Sequence, residues 1–512
     1  MQNVYTPEAM RAVDRYLIEQ CKIPGLTLME RAAQGVFKAV AKKCEGEGRR
    51  RILILCGSGN NGGDGLVLLR LLHLAGYEAC GVLLAAEEKL RGDAAASLAA
   101  AKASGCSFLP WEEAKAALSG SIVVDALFGT GLCRPVTGQA AQAIEAVNAS
   151  GAYVIAVDIP SGIDGRDGSV QGCAIRAEET ITFQNYKPGL LLFPGRGYAG
   201  RTTLHRIAEE DAPVATPFAL QQADDIAALL PPRPLDSHKG KNGRALLLAG
   251  CAEYTGAALL CAAAALRAGC GLLRVVVPAS VKPAFSALPE AMCVPVGRGG
   301  AWDAESCCAA AALIGGQQAI GFGSGMGQLA DISLLQRAIA SHIPLVIDAD
   351  GLNALSRSRE LLRSLHREVI LTPHPGEMAR LMGTAASEIQ HDPAGIALAA
   401  AKEWQCVVLL KGASTCISDG RRVVFSLAGN PGLAKGGSGD TLTGIITALL
   451  AQGLSPMNAA CAGAFLLGAS ADTAYKILGN RMLMASDVTL AIRETIGQLS
   501  QIDPRHPVAD AE

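Results

Sequence analysis

The 512-residue sequence has little charge of either sign to spare: 45 Lys and Arg meet 47 Asp and Glu, a net of −2, with no basic run. Without such a run there is no footprint for a phosphate backbone or an anionic bilayer, so nucleic acid and membrane surfaces are not expected partners. Small or acidic ligands must be caught locally. Aromatic residues are scarce at 4%, against 58 glycines. That balance points to an α/β protein whose helices pack closely on strands and whose glycines sit at strand-to-helix turns. No two of the 16 cysteines stand in a C-x-x-C spacing, and neither a signal peptide nor a transit peptide is visible at the start. Reduced, mostly buried thiols in the cytoplasm are therefore expected rather than disulfides. Residues 441–471 carry no charge, but Gln452-Gly453-Leu454-Ser455-Pro456-Met457-Asn458 interrupts them. Two buried helices joined by a turn fit better than a membrane span.

What is present is a repeating pattern. The length allows two or three domains with separate cores. From Arg51 onward, apolar β-type runs alternate with glycine-rich turns and amphipathic stretches, which predicts parallel sheets covered on both faces. In the first half the strands are expected at residues 52–56, 122–126 and 153–157, with helices at 65–75 and 138–148. Thr6-Pro7-Glu8 reads as the N-cap, first-turn proline and acidic first turn of a leading helix. The pattern fades where Asp211-Ala212-Pro213 and Pro231-Pro232-Arg233-Pro234 interrupt it. A second series follows: strands at 244–249, 272–277, 345–349, 369–372 and 407–411, and helices at 256–268 and from Gly439. We expect two three-layer αβα domains, 1–215 and 222–505. The halves show no self-similarity, so they read as a fusion of unlike domains.

Three strand ends in the first half carry chemistry. Cys56-Gly57-Ser58-Gly59-Asn60-Asn61-Gly62-Gly63-Asp64-Gly65 follows one strand and opens a helix. Its glycines let the backbone approach a ligand, and the free N–H groups of the first turn favour an anion. The loop is not a Walker A loop, and a plain tight turn would explain the glycines but not the added Asn, Asn and Asp. Asp125-Ala126-Leu127-Phe128-Gly129-Thr130-Gly131 and Asp158-Ile159-Pro160-Ser161-Gly162 place a carboxylate after two further strands. Either Asp alone could be an N-cap, but in an open parallel sheet all three motifs meet in one crevice.

The second half holds a stronger signal. Lys435-Gly436-Gly437-Ser438-Gly439-Asp440 directly precedes an apolar helix. Successive N–H groups at the positive helix end form an anion hole, and Asp440 adds a carboxylate at the same point. Phosphoryl transfer to a hydroxyl needs both: donors for the moving charge and a base for the proton. A structural turn needs neither the serine nor the aspartate.

These motifs resemble known families. The first-half set, with Ile23-Pro24-Gly25, Leu28-Met29-Glu30 and Lys187-Pro188-Gly189, resembles the NAD(P)H-hydrate epimerases over roughly the first 210 residues. The resemblance implies a Rossmann-like fold and exchange of the two C6 epimers of hydrated NADH or NADPH. It implies a potassium ion on Asn61, Asp125 and Ser161. It puts the hydrate on Asn60, Asn61, Gly62, Gly63 and Asp64, on Gly129, Thr130, Gly131, Leu132, Cys133, Arg134 and Pro135, and on Asp158. We take Asp158 as the acid/base group, and Lys187, which as a Lys before Pro-Gly reads more readily as a solvated turn residue, as a weaker candidate. Arg31 and Gln34 depart from the residues expected at those positions.

The Gly-Gly-Ser-Gly-Asp loop resembles the ribokinase-like superfamily. Ser237-His238-Lys239-Gly240-Lys241-Asn242-Gly243-Arg244, Asp348-Ala349-Asp350-Gly351-Leu352-Asn353, Thr372-Pro373-His374-Pro375-Gly376-Glu377 and Lys411-Gly412-Ala413-Ser414-Thr415 narrow it to the NAD(P)H-hydrate dehydratases. The whole chain is thus similar to bifunctional bacterial NAD(P)H-hydrate repair enzymes. Here the resemblance places a nucleotide along Lys411, Gly412, Ala413, Ser414 and Thr415 and at Gly436, Gly437, Ser438 and Gly439. It places the hydrate at Ala257, Gly323, Gly325, His374 and Asp440, with Asp440 as base. ADP as phosphoryl donor, Mg2+ near Glu377 and a homo-oligomer complete the expectation. Three alternatives stand beside it: a small-molecule kinase, a first half that senses nucleotides without catalysis, and a structural scaffold. The product separates the first, a stable phosphoester against NAD(P)H plus phosphate.

Overall fold

The computed structural model describes residues 1–47, 51–234, 236–329 and 331–502; positions 503–505 of the expected second domain lie outside them. Two compact units are present, one of Asn3–Phe218 and one running from Ala219, with Met1 and Gln2 counted in the latter.

In the first unit seven strands form a sheet in the order Ser107–Phe108, Ala79–Leu83, Ile52–Cys56, Ile122–Ala126, Tyr153–Val157, Glu179–Phe183, Arg201–His205, and every pair is parallel. The central strands read as unbroken apolar runs because both faces are covered. Ile52, Ile54, Val124 and Ile155 enter a core with the helices Pro7–Glu19, Gly25–Glu47, Asn60–Leu74 and Gly92–Ala103. Leu53, Leu55, Val123 and Val154 alternate into a second core with Trp111–Ala116 and Gly138–Ala149. These are the expected three layers. Thr6 does cap the leading helix, its Oγ1 accepting from the Ala9 amide at 3.3 Å.

One helix starts earlier than expected. Asn60–Leu74 begins five residues before position 65, so Asn60 and Asn61 belong to its first turn rather than to a preceding loop. Gly62 and Gly63 lie in this first turn and are glycine because side chains there would collide. A Cβ on Gly62 would lie 2.1 Å from the Gly57 carbonyl, and one on Gly63 would lie 2.8 Å from Met29.

In the second unit the parallel strands run in the order Val407–Leu410, Val369–Leu371, Leu345–Ile347, Ala319–Phe322, Arg244–Leu248, Leu272–Pro278, Met292–Val296. Beyond Val407–Leu410 the sheet continues antiparallel through Thr415–Ser418 and Val423–Ser426. Ala245, Leu247, Val275 and Val277 pack in one core with the helices Thr255–Arg267, Ser438–Ala451 and Pro456–Met482. Leu246, Leu248, Ile320 and Ile347 are buried on the alternate positions. Small residues allow close helix approach: a Cβ on Gly444 would stand 2.1 Å from the Cys261 carbonyl. The uncharged stretch 441–471 falls in two helices, as expected, and no helix among the described residues is long and apolar enough to cross a membrane. All sixteen cysteines are unpaired.

Candidate active sites

In the first unit the chain leaves Ile52–Cys56 to build one half of the sheet, then returns to its other side at Ile122–Ala126. Such a switch point opens a crevice at the carboxyl ends of the strands. There a cleft of about 590 Å3 is lined by Asn60, Asn61, Asp64, Gly129, Thr130, Gly131, Leu132, Cys133, Arg134 and Asp158, together with Asp14 and Lys187. Of the residues expected on the hydrate, Gly62, Gly63 and Pro135 are not part of that lining; the two glycines are turned toward the packing contacts described above.

Asp158 has a positive φ of 65°, a conformation non-glycine residues adopt only where the surroundings hold them. Its Oδ1 accepts from the Thr182 hydroxyl at 3.2 Å, the Phe183 amide at 3.2 Å and the Lys187 ammonium at 2.5 Å. Lys187 is 1% exposed and also donates to Thr182 Oγ1 at 2.9 Å and the Phe183 carbonyl at 3.0 Å. The reading of Lys187 as a solvated turn residue is therefore wrong: its apolar stem is enclosed and its charge points at Asp158. Proline at 188 starts a short helical turn, which directs the lysine inward instead of out.

Asp125 and Ser161 are fully buried and bonded to each other. Ser161 donates its amide to Asp125 Oδ2 at 2.7 Å and its hydroxyl to Oδ1 at 2.6 Å, and the Leu127 amide lies 3.3 Å from Oδ1. Burial pushes Asp125 up to about 6, against those three bonds. The third residue of the expected potassium set, Asn61, is buried with its amide nitrogen unpartnered, and a Cβ on Gly129 would stand 3.3 Å from its Oδ1. Among the described residues no three His, Cys, Asp or Glu side chains gather around a metal position. A set of amide, hydroxyl and single-carboxylate oxygens suits a large, weakly bound cation better than a transition metal.

The second unit repeats the switch point, between Arg244–Leu248 and Ala319–Phe322. Leu248 pairs with Phe322, Phe322 with Ile347 and Ile347 with Leu371. The next residues, Ala249, Gly323, Asp348 and Thr372, therefore stand in one row. Gly323 has φ 115°, and a Cβ there would sit 1.9 Å from the Asp348 carbonyl, so no other residue fits. Gly325 packs on Ala257 with 2.5 Å between the positions of their Cβ atoms, which brings the expected substrate residues of two segments together.

Asp348 is 1% exposed and accepts from Lys411 Nζ at 2.7 Å, Thr372 Oγ1 at 2.8 Å and Thr443 Oγ1 at 3.0 Å. Burial works against its charge, but Lys411 and the two hydroxyls outweigh it and hold the carboxyl below its ordinary value. Gly439 faces this pair: its Cβ position is 3.3 Å from Asp348 Oδ2 and 3.5 Å from Lys411 Nζ. Lys411 thus joins the turn 411–415 to the start of Ser438–Ala451, whose N-cap Gly437 is left-handed. Asp440, in the first turn, is pushed up to about 6 by burial and by Asp348, with Ser324 and Lys411 opposing. His374 caps Pro375–Met382, its Nδ1 accepting from the Gly376 amide at 3.0 Å, while Glu377 Oε2 accepts from the His374 amide at 2.8 Å. The same Glu377 oxygen lies 3.8 Å from Lys411. Glu377 thus uses Oε2 for the cap and the ion pair.

Comparison with known proteins agrees with both halves. The family described as YjeF-related protein N-terminus matches residues 25–189, and the one described as NAD(P)H-hydrate dehydratase matches residues 245–493. A bifunctional NAD(P)H-hydrate repair enzyme from Moorella thermoacetica is 39% identical over 501 residues, covering 94% of each chain. One from Coxiella burnetii is 37% identical, covering 95% of this chain and 98% of its own. The chain belongs to the bifunctional NAD(P)H-hydrate repair enzymes. A ribokinase-like superfamily protein from Enterococcus faecalis, 24% identical, shares the fold of the second unit, with a TM-score of 0.50 over 57% of this chain and 99% of its own.

For a repair enzyme, the structure adds side chains that sequence reasoning passed over. Asp14 comes from the leading helix, where one acid on an amphipathic surface gives no signal. Thr372 opens the Thr-Pro-His-Pro-Gly-Glu motif, yet only the fold shows it, with Thr443, bonded to Asp348. Asp472 accepts from the Gly429 amide and Asn430 Nδ2, both at 2.9 Å, and so fixes the segment leading into the glycine loop.

Proposed function

We propose that the protein restores damaged reduced nicotinamide coenzymes in two steps. The first unit exchanges the R and S forms of hydrated NADH or NADPH, and the second dehydrates the S form while ADP becomes AMP and phosphate. The observation that carries this reading is Asp440 in the first turn of Ser438–Ala451, set against Asp348 in the row of strand ends, within a chain of this family.

In the second unit the first-turn amides from Gly436 to Gly439 would receive the transferred phosphoryl group, and the turn from Lys411 to Thr415 the rest of the nucleotide. Asp440 would take the proton of the C6 hydroxyl as its oxygen attacks the terminal phosphate. Phosphorylation makes that oxygen a good leaving group: the N1 lone pair would expel phosphate to give an N1=C6 iminium, and loss of a C5 proton to solvent would restore the C5=C6 bond of NAD(P)H. Ala257, Gly323, Gly325 and His374 would seat the hydrate. Mg2+ fits as an ion carried by the phosphates rather than by a protein cage, since Mg2+ keeps waters and uses few carboxylates; bound, it would neutralise phosphate charge. Glu377, whose Oε1 is not used by the cap, would anchor it through water.

In the first unit the Asn60 and Asn61 amides and the loop from Gly129 to Arg134 would hold the hydrate, and Asp158 would handle the proton. Asn61, Asp125 and Ser161 fit a potassium ion through their amide, carboxylate and hydroxyl oxygens, while the unpartnered Asn61 Nδ2 is a donor left for an acceptor on the hydrate. The charge of the ion would favour the ionised form of Asp125. The sixteen unpaired thiols suit the cytoplasm. Exposed Tyr475, Ile477, Met482, Met484 and Leu490 suit self-association into a homo-oligomer.

The test is a mixture of both hydrate epimers with Mg2+ and ADP, followed at the reduced-nicotinamide absorbance. Full recovery is expected, with none in Asp440→Asn. Recovery that stalls when one epimer is spent would overturn the epimerase half. A stable phosphoester in place of NAD(P)H would make the second unit a kinase.

A further inference from the structure

The epimerase reading leaves Asp14 in the first cleft without a task. Asp14 projects from Pro7–Glu19 into the cleft wall, beside Asp64, Asp158 and Lys187. Asp158 is engaged by Lys187, Thr182 and Phe183. Among the described residues the Asp14 carboxylate makes no hydrogen bond and no salt bridge. A largely enclosed carboxyl without a hydrogen-bond partner costs stability, and the nearby Lys187 charge does not fully compensate. A ligand that needs a proton would.

Epimer exchange at a carbinolamine carbon requires the C6–O bond to break and to form again on the other ring face. Hydroxide is a poor leaving group, so one side of the ring needs a proton donor and the other a proton acceptor. Resting on the epimerase reading, we propose that Asp14 is the general acid of this reaction and Asp158 its base. The Asp14 proton passes to the departing hydroxyl, which leaves as water with the C6–O electron pair, and the N1 lone pair closes an N1=C6 iminium. Water then adds to C6 from the opposite face. The iminium pair returns to N1, and the water's proton goes to Asp158 beside Lys187. The reverse exchange runs with the two roles swapped, and proton return through solvent resets the cleft.

The surroundings support the division. Burial pushes Asp14 up to about 6, Asp158 adds to the rise and Lys187 opposes it. Asp64 faces the same group and is itself raised by burial, while Arg11 and Arg134 line the cleft. Two carboxylates with different environments are the usual mark of an acid and base pair.

The decisive comparison is Asp14→Asn against the native full-length protein, measuring epimer exchange from pH 5 to 9 after subtracting the exchange in buffer alone. Native exchange should fall as pH rises above about 6, as Asp14 loses its proton. In Asp14→Asn exchange should drop by about 100-fold or more, with KM little changed and the pH limb gone. Asp14→Glu should keep the limb and part of the rate. The Tm of Asp14→Asn should not fall, and its ADP-dependent dehydration of the S epimer should match the native rate, which excludes misfolding. Exchange in Asp14→Asn within twofold of native, or a limb that persists in it, overturns the assignment alone. A native protein that does not accelerate exchange overturns the epimerase reading and the assignment together.

Discussion

Asp348 and Asp440 meet at the same helix start, yet their surroundings push them in opposite directions. Three donors hold Asp348 below its ordinary value, while burial and Asp348 itself push Asp440 up to about 6. Only Asp440 is thereby poised to exchange a proton near neutrality. Dehydration should accordingly rise as pH increases through about 6, because a base works only when ionised, and Asp440→Asn should show no rate at any pH. The stability sign is opposite to the rate sign. A folded pKa above the unfolded one means that ionising Asp440 costs stability as pH climbs from about 4 to 6. Asp440→Asn should therefore unfold no earlier than native at pH 7, and later by about 1 kcal/mol once the residue's partial exposure is discounted. Thermal unfolding of the two proteins checks it; a large destabilisation would show that Asp440 is structural. At this scale the sequence announces residues flanked by glycines, such as Asp440, and hides those, such as Asp14, whose neighbours are an ordinary helix surface.

The short helix Pro375–Met382 joins packing to chemistry through a single ring. With Nδ1 accepting from two first-turn amides, the His374 proton belongs on Nε2, on the side left exposed. Asparagine is as good an N-cap but lacks the ring. His374→Asn should thus keep its stability within about 0.5 kcal/mol of native while raising KM for the hydrate roughly tenfold, a loss of about 1.4 kcal/mol of binding. His374→Ala should lose both, with about 1 kcal/mol of stability gone. Unfolding and steady-state kinetics on the pair separate the two contributions, and equal KM values in native and His374→Asn would remove His374 from the hydrate site. Elements whose pattern is purely apolar, such as Ile52–Cys56 and Tyr153–Val157, could be read to the residue. Glu179–Phe183 could not, since its buried Thr180 and Thr182 look like surface until Ala199 and Asp158 are seen to bond them. The strands expected at 345–349, 369–372 and 407–411 end one or two residues earlier, because Asp348, Thr372 and Lys411 already leave the ladder to enter the site.

Each unit carries its own sheet, its own switch point and its own set of site residues. If the hydrate leaves the first unit freely, the two activities need not reside in one chain, and this can be decided by complementation. Asp158→Asn protein should dehydrate the S epimer and then slow to the rate of uncatalysed exchange. Asp440→Asn protein should exchange epimers without producing any NAD(P)H. Mixed, the two should recover the whole of an epimer mixture, because each supplies the unit the other lacks. The recovery rate should rise with the concentration of the Asp440→Asn partner until dehydration limits it. Recovery that follows this dependence means the hydrate passes through solution. A mixture that stalls where Asp158→Asn stalls alone means that the hydrate is handed on only within one molecule, and the fusion of the two folds would then be part of the mechanism itself.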